Sequence, residues 1–230
     1  ESIGEVEKCA WALEFYADHG DSFLSDEVLN TDARKSFLTF EPLGVIGSIM
    51  PWNFPYWQAL RFAAPCLMGG NVIVMKPSSI TLQSGIEIEK AFTESGVPDG
   101  IFQTVIGSVD VANHLIDSDI SAVTFTGSTN AGAKVGERAA MHLKKCVLEL
   151  GGSDPFIVLD DAIIEKAAEG AVKGRFINCG QSCVASKRFF VGKNVAKEFI
   201  ELFIKKASQL KIGDPTSMET DIGPISSKEG

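Results

Sequence analysis

Three stretches of the sequence carry side chains that suit chemistry at a carbonyl group. Cys183 follows the short, flexible turn 180–182, which is expected to place its thiol at the end of a loop. Glu149 closes an apolar segment, and Asn53 lies between two prolines. A thiol attacks a carbonyl carbon, a carboxylate activates water, and an amide stabilises the resulting oxyanion. Together Cys183, Glu149 and Asn53 are candidate catalytic residues, although Glu149 alone also fits a surface carboxylate at a strand end and Asn53 alone a turn residue.

Four other cysteines compete with Cys183 for the role of nucleophile. Cys66 and Cys146 lie inside apolar runs and Cys9 falls in a helical pattern, so these three are expected to be structural. Cys179 comes four residues before Cys183, and spacing alone does not decide between the two. An odd number of cysteines without a Cys-x-x-Cys pair is typical of a reducing compartment, and a cytoplasmic location is expected.

Composition and charge argue against several classes of binding partner. The 230 residues are 45% hydrophobic, which is enough for a sizeable core. The formal net charge of -9 argues against a nucleic-acid or anionic-membrane partner. No run of about 18 apolar residues occurs, so no transmembrane helix is expected. The histidines (19, 114 and 142) lie near no cysteine at zinc-ligand spacing, so no metal site is expected.

The elements that must position these residues follow an alternating pattern between Gly44 and Leu150. Short apolar segments predict strands at 44–50, 71–75, 102–106, 122–126 and 146–150. Helical patterns lie between them at 56–68, 81–94, 109–116 and 131–141. Strands that are apolar on both faces and alternate with helices predict a doubly wound, Rossmann-like α/β sheet with parallel strands. In such a sheet the ligand lies at the carboxyl ends of the strands.

Together with the segments on either side of this alternating region, the sequence predicts that the chain has three parts. Residues 1–40 form an N-terminal part with a helix at 3–17, a polar, turn-rich segment at 21–34 and a possible strand at 36–40. Residues 41–150 form the dinucleotide-binding domain. Residues 151–230 begin a second α/β domain, the catalytic one, with strands at 155–159 and 188–191 and helices at 162–176 and 195–210. The chain starts without Met and stops without a closing element, so we expect it to be a part of a longer protein.

A glycine-containing turn at 127–132 is the candidate phosphate site. It follows a predicted strand and opens a predicted helix, where backbone amides and the helix N-terminus favour an anion. The sequence contains no Gly-x-Gly-x-x-Gly, the usual dinucleotide fingerprint. In isolation the turn therefore also fits a plain strand-to-helix connection.

Five short motifs, in this order, resemble the aldehyde dehydrogenase superfamily over nearly the whole chain. They are Pro51-Trp52-Asn53-Phe54-Pro55, Lys76-Pro77-Ser78, Phe125-Thr126-Gly127-Ser128-Thr129 with Gly132, Glu149-Leu150-Gly151-Gly152 and Gly180-Gln181-Ser182-Cys183. The family motif Phe-x-Asn-x-Gly-Gln-x-Cys begins at Phe176 and ends at Cys183. This register makes Cys183 the nucleophile and leaves Cys179 at a free position.

The resemblance implies oxidation of a small aldehyde to the carboxylic acid with NADP or NAD. Cys183 would add to the aldehyde as a thiolate, and Asn53 would hold the oxyanion together with the Cys183 backbone N–H. Glu149 would then activate the water that hydrolyses the thioester. The cofactor-binding residues that the resemblance implies are Trp52, Asn53, Lys76, Pro77, Ser78, Ser79, Gly127, Ser128, Glu149, Leu150 and Gly151.

The Ser79 position bears on the choice of cofactor. Many members of the family that prefer NAD carry a glutamate there, which accepts hydrogen bonds from the ribose hydroxyls and repels a 2′-phosphate. Serine does neither, and Lys76 is placed to attract the phosphate. The resemblance therefore predicts that NADP is used at least as well as NAD.

Residues 143–156 and Arg61 look most like succinate-semialdehyde dehydrogenases within the family. Arg61 lies eight residues after Asn53, about two helical turns along the predicted helix. The resemblance gives Arg61 the role of binding the substrate carboxylate, and the alternative is a surface or interdomain salt bridge. A neutral short aldehyde such as glyceraldehyde is the alternative substrate. Full-length members continue beyond this chain, and a homo-oligomer is expected.

Two hypotheses from other functional classes stay open. The first is a cofactor-free cysteine hydrolase that uses Cys183 and a histidine, although no histidine lies near Cys183 in the sequence. The second is a catalytically silent structural relative, which would be expected to have lost Cys183 or Glu149. Both residues are present.

Overall fold

The computed structural model describes residues 1–228, and the chain divides into two compact units that meet in sequence between Leu150 and Gly151. The first unit contains, in chain order, α1 (Ser2–Phe23), β1 (Glu27–Val28), β2 (Phe37–Leu38), β3 (Val45–Ile49), α2 (Pro55–Met68), β4 (Val72–Lys76), α3 (Leu82–Glu94), β5 (Phe102–Thr104), α4 (Val109–Asp117), β6 (Ala122–Thr126), α5 (Thr129–Met141) and β7 (Lys145–Glu149). From β3 to β7, each end of each element lies within two residues of its predicted position.

The main sheet of the first unit has five strands in the order β5-β4-β3-β6-β7, and all of them are parallel. The chain leaves β3 first toward β4 and β5 and later returns to the other side of β3 with β6 and β7. The strand order therefore reverses between β3 and β6, which is the point where doubly wound sheets bind ligands. The prediction of a doubly wound, Rossmann-like sheet is confirmed.

Both faces of this sheet are covered by helices. On one face, Ala59 and Ala63 of α2 pack on Ile73 and Met75 of β4, and Ile88 of α3 joins them. On the other face, the residues in contact come from α4, the connection that follows it, β6 and α5, namely Leu115, Ile116, Ile120, Val123 and Ala139. Because side chains alternate between the faces of a strand, a sheet covered on both sides needs apolar residues in succession. This explains the continuous apolar segments in the sequence.

The N-terminal part differs from its prediction. Helix α1 ends at Phe23, six residues beyond the predicted end at residue 17. The segment predicted to be turn-rich also contains β1, which pairs antiparallel with β2. Helix α1 packs on α2, a partner that the sequence pattern did not identify. Gly20 of α1 lies so close to Met68 that a Cβ there would be 2.7 Å from the Met68 sulfur. Close approach to α2 therefore lets α1 continue past the predicted end.

The second unit contains β8 (Asp154–Val158), α6 (Ile164–Phe176), a short 3₁₀ helix (Ile177–Gly180), β9 (Ser186–Val191) and α7 (Ala196–Ala207). Strands β8 and β9 are parallel, and α6 supplies the crossover that parallel pairing requires. Val158, Ala168, Ala171 and Phe199 form its core. The predicted start of a second α/β domain is confirmed, while the division of binding and catalysis between the units stays a prediction.

Within residues 1–228, the helices do not combine the length and the apolar content that crossing a membrane requires.

Candidate functional site

Candidate residues lie at or just after the carboxyl ends of four strands of the first unit, at the same edge of the sheet. The register pairs Ile49 with Lys76 and Thr126 with Glu149, so the carboxyl ends of β3, β4, β6 and β7 are aligned. The Gly127 N–H continues this ladder by donating to the Glu149 carbonyl at 3.0 Å. Asn53 follows β3, and Ser79 follows β4 in an exposed turn. The candidate residues of the first unit therefore gather at the edge where the strand order reverses.

The Asn53 turn is fixed by a contact from α1. Helix α2 begins at Pro55, and the side chain of its N-cap residue, Phe54, accepts no hydrogen bond from the first turn. Instead, Glu5 Oε1 accepts hydrogen bonds from the backbone N–H groups of Tyr56 and Trp57, at 2.9 and 2.8 Å. Burial raises the pKa of the Glu5 carboxyl, against the lowering effect of these two hydrogen bonds. The sequence pattern did not predict this role of Glu5, because the two N–H donors lie more than fifty residues away.

Lys8 strengthens the same contact. Its ammonium lies 3.8 Å from the centre of the Trp57 ring, a cation–π geometry. Glu5 and Lys8 are three residues apart and so share one face of α1. Together they hold the first turn of α2, which follows directly on the Asn53 turn.

Two residues that are expected to have separate roles form an ion pair in the structure. Arg61 Nη2 lies 3.3 Å from Glu149 Oε2, with side chains that are 31% and 53% exposed. Both line a cavity of about 170 Å³ together with Gln58 and Thr126. Within residues 1–228, the buried Gln58 Oε1 atom has no hydrogen-bond partner. The wall of this cavity therefore contains a cation, an anion and an amide side chain beside apolar side chains.

A larger cavity, of about 540 Å³, lies between α4 and α5 at the same edge. Ile49, Lys76, Ala112, Val135 and Arg138 are among its lining residues. Except for Lys76, these residues were not predicted, although Ala112, Val135 and Arg138 lie on two predicted helices. The Lys76 amine is buried and donates to the Pro77 carbonyl at 2.8 Å, and burial lowers its pKa. A largely apolar cavity with a buried amine fits a flat ring and an attached sugar.

The turn at 127–132 has the geometry of an anion site. Ser128 is the N-terminal cap of α5, and its Oγ accepts from the Ala131 N–H at 3.2 Å. Gly132 packs against the Leu150 side chain, where a Cβ would clash. This brings the first turn of α5 against the residue that follows β7. Free N–H groups at the start of such a helix attract phosphate.

An ion-pair cluster fixes α4 to α5 beside the larger cavity. Arg138 donates two hydrogen bonds to Asp117, at 2.7 and 2.5 Å, and His142 lies 3.1 Å from the same carboxylate. The hydrogen bond from Arg138 is the main reason that the pKa of Asp117 falls to about 2. Lys144 donates to the Ile116 and Ser118 carbonyls at the end of α4. The helices that form the walls of the cavity are thus tied together.

In the second unit, Cys183 lies in the loop between the 3₁₀ helix and β9, as predicted. Its side chain is half-buried, and its carbonyl accepts from the Lys187 ammonium at 3.1 Å. Lys187 also donates to the Gly152 carbonyl at 2.6 Å. A Cβ on Gly152 would be 2.8 Å from the Cys183 carbonyl oxygen, so the glycine permits the approach. The last residue of the Glu149–Gly152 motif is therefore a neighbour of the Cys183 backbone.

The loop before Cys183 is tightly constrained. Asn178, Cys179 and Gly180 all have positive φ, of 49°, 56° and 78°. Such a backbone is uncommon for a cysteine and indicates a strained turn that the surroundings hold in place. Gln181 contributes, because its Oε1 accepts from the Ser226 N–H at 2.9 Å.

The structural environments of the other cysteines differ from that of Cys183. Cys179 Sγ lies 3.6 Å from the Gly223 carbonyl, to which it donates. Burial raises the pKa of Cys9 and of Cys66 to about 11 and also raises that of Cys146. Thiols of this kind stay protonated near neutral pH and are poor nucleophiles. Cys9 is the most buried of the three, which its helical pattern did not predict.

Asn53, Arg61, Lys76, Ser79, Gly127 and Glu149 belong to the first unit, and Cys183 belongs to the second. Within residues 1–228, no group of three or more metal-binding side chains is arranged to hold an ion.

Comparison with known proteins places this arrangement in a wider context. The model of the aldehyde dehydrogenase family matches residues 1–230. A probable NADP(+) succinate-semialdehyde dehydrogenase of Synechocystis is 50% identical over all of this chain and 51% of its own length. The chain thus spans about half the length of the curated relatives that it matches.

Solved structures agree with this relationship. The structure of succinic semialdehyde dehydrogenase from Streptococcus pyogenes in complex with NADP+ is 38% identical, with a TM-score of 0.95. It covers 98% of this chain, and the match covers 50% of that structure. The structure of PnpE in complex with nicotinamide adenine dinucleotide is 36% identical, with a TM-score of 0.92, over 97% of this chain and 46% of the other.

Proposed function

The chain belongs to the aldehyde dehydrogenase family, and we propose that the full-length protein oxidises succinate semialdehyde to succinate with NADP as the oxidant. The observation that carries the choice of substrate is Arg61. Its guanidinium lies two helical turns after the Asn53 turn and lines the same cavity as Glu149. A cation at this distance from the oxyanion donor suits a short aldehyde with a carboxylate at its far end. The name of the Synechocystis relative supports the same choice.

The first unit fits a dinucleotide. The cavity between α4 and α5 has the size and apolar lining for an adenine ring, and the buried Lys76 amine is placed for a ribose hydroxyl or a phosphate. The amides at the start of α5 would hold the pyrophosphate. When bound, the nicotinamide ring accepts a hydride from the substrate carbon. The residues proposed to bind the cofactor are Trp52, Asn53, Lys76, Pro77, Ser78, Ser79, Gly127, Ser128, Glu149, Leu150 and Gly151.

The phosphorylated cofactor is proposed because of Ser79. This residue is exposed in the turn after β4, close in sequence to Lys76. A serine leaves the 2′-phosphate unopposed, while the lysine supplies a positive charge. A glutamate at the same position would repel the phosphate.

In the proposed reaction, the Cys183 thiolate forms a C–S bond to the aldehyde carbon. The Asn53 side-chain amide and the Cys183 backbone N–H donate to the oxyanion that forms, and preorganised donors of this kind stabilise it by about 3–4 kcal/mol each. After the carbon has lost its hydride, a thioester remains on Cys183. Glu149 then takes a proton from water while the water oxygen bonds to the acyl carbon. The C–S bond breaks, which releases succinate and restores the thiolate.

A cofactor-reduction assay on the full-length protein tests this proposal. Succinate semialdehyde, butanal and glyceraldehyde should each be offered with NADP and with NAD. The proposal expects the highest kcat/KM for succinate semialdehyde with NADP. A preference for glyceraldehyde would contradict the role of Arg61, and hydrolysis of esters without cofactor reduction would favour the cysteine hydrolase.

The assembly of the full-length protein into a homo-oligomer and its cytoplasmic location are part of the same proposal. Sedimentation of the purified protein and fractionation of cells test them directly.

A further inference from the structure

Arg61 and Glu149 form an ion pair at the carboxyl edge of the sheet, although each has a separate role in the proposed reaction. The Nη2 and Oε2 atoms are 3.3 Å apart. Glu149 is the last residue of β7, and its carbonyl is fixed by the Gly127 N–H. The backbone at Glu149 is therefore held, while its half-exposed side chain remains able to turn.

The pair is weak enough to be exchanged. Ion pairs between partly exposed side chains contribute little to stability, because water solvates both partners when they separate. A guanidinium binds a carboxylate best through two parallel N–H donors. A substrate carboxylate that binds Arg61 through Nη2 and a second N–H would take the donor that Glu149 contacts. The two carboxylates therefore compete for one cation.

This competition would couple substrate binding to the second half of the reaction. A Glu149 Oε2 atom that is engaged with the Arg61 guanidinium is not free to take a proton from water. We propose that Arg61 holds the general base Glu149 in an unproductive position until the terminal carboxylate of the bound acyl group replaces it. Thioester hydrolysis is then fast for acyl groups with a terminal carboxylate and slow for neutral ones.

The cavity beside the pair supports this role. Its volume of about 170 Å³ has room for several water molecules. Gln58 lines the same cavity, and within residues 1–228 its buried Oε1 atom has no hydrogen-bond partner. A released Glu149 side chain thus lies beside a polar space that suits water. Arg61 selects the substrate twice, once by binding it and once by freeing the base.

The inference rests on the proposed function, and rapid mixing of the full-length enzyme with NADP tests both. With butanal, the wild type should show a burst of NADPH followed by slow turnover, because butyryl-thioester hydrolysis is limited by the held Glu149. Arg61→Met should speed this slow phase by about fivefold, the upper range for an exposed ion pair. Arg34→Met, in an exposed segment of the N-terminal part, is the matched control and should leave it unchanged.

A substrate supplied in two pieces gives a second readout. Propionate added with acetaldehyde should occupy Arg61 and accelerate acetyl-thioester hydrolysis in the wild type, while chloride at equal ionic strength should not. In Arg61→Met, propionate should have no effect. Equal slow phases for butanal and succinate semialdehyde, unchanged by propionate and by Arg61→Met, would overturn the inference alone. Absence of NADPH formation with every aldehyde would overturn the proposed function as well.

Discussion

Replacing Glu5, which lies far from every predicted site residue in the sequence, tests whether α1 positions the Asn53 turn. Glu5→Ala removes the acceptor of two backbone N–H groups in the first turn of α2. Loss of such a cap costs about 1–2 kcal/mol. For a unit of this size, that corresponds to a decrease of about 2–8 °C in Tm. Glu7→Ala, at an exposed position of the same helix, is the matched control and should change Tm much less.

Activity adds a second readout for Glu5. Complete loss of an oxyanion donor costs about 10²–10³-fold in kcat, and a loosened Asn53 turn should cost less, about 2–10-fold. Glu5→Gln keeps one acceptor oxygen for both N–H groups and should retain most of the activity. The measurement is kcat for succinate semialdehyde at a temperature well below the Tm of each variant. If Glu5→Ala and Glu7→Ala behave alike in both Tm and kcat, then α1 does not position the turn.

The sign of the pH dependence follows from the raised pKa of Glu5. A carboxyl whose pKa is higher in the folded state than its ordinary value of 4.5 binds a proton more tightly when folded. Its contribution to stability is fully present below pH 4.5 and is lost as the pH rises through the folded-state pKa. Glu5→Gln lacks this titration. The Tm of the wild type should therefore decrease relative to that of Glu5→Gln as the pH rises from about 4 to 7.

Three further predictions concern the site itself. Arg61→Ala should lower kcat/KM for succinate semialdehyde by about 10–100-fold, because a charge-assisted hydrogen bond is lost, and should affect butanal far less; equal losses for both substrates would show that Arg61 does not bind a carboxylate. Glu149→Gln should slow thioester hydrolysis by about 10²–10⁴-fold and leave a burst of NADPH, whereas absence of the burst would place Glu149 in an earlier step. The wild type should use NADP at least as well as NAD, and Ser79→Glu should reverse the preference; a tenfold preference of the wild type for NAD would contradict the role of Ser79.

The sheet could be predicted from the sequence because each strand is a short apolar run between two helical patterns. The order of the strands depends on long-range pairing, which periodicity does not report. The end of α1 was misplaced because Gly20 has a low helix propensity, and its packing on Met68 compensates. Local preference was overridden by a contact that is distant in sequence.

The candidate site shows the same limit. Motif register identified Asn53, Lys76 and Glu149, and the parallel sheet brings all three to one edge. A salt bridge was one of the two roles expected for Arg61, but Glu149 was not predicted as its partner, because the two residues lie on different elements, 88 positions apart. The pairing depends on how α2 packs on the sheet, which is a property of the packed structure. Glu5 was missed for the same physical reason.

The most direct test of the account is to identify the thiol that carries the acyl group. The Glu149→Gln variant of the full-length enzyme should be mixed with succinate semialdehyde and NADP, stopped with acid and mapped by tandem mass spectrometry. The proposed mechanism predicts a succinyl group on Cys183, which persists in the additional variant Cys179→Ala and disappears in Cys183→Ala. A succinyl group on Cys179, or NADPH formation without any acylated cysteine, would contradict it.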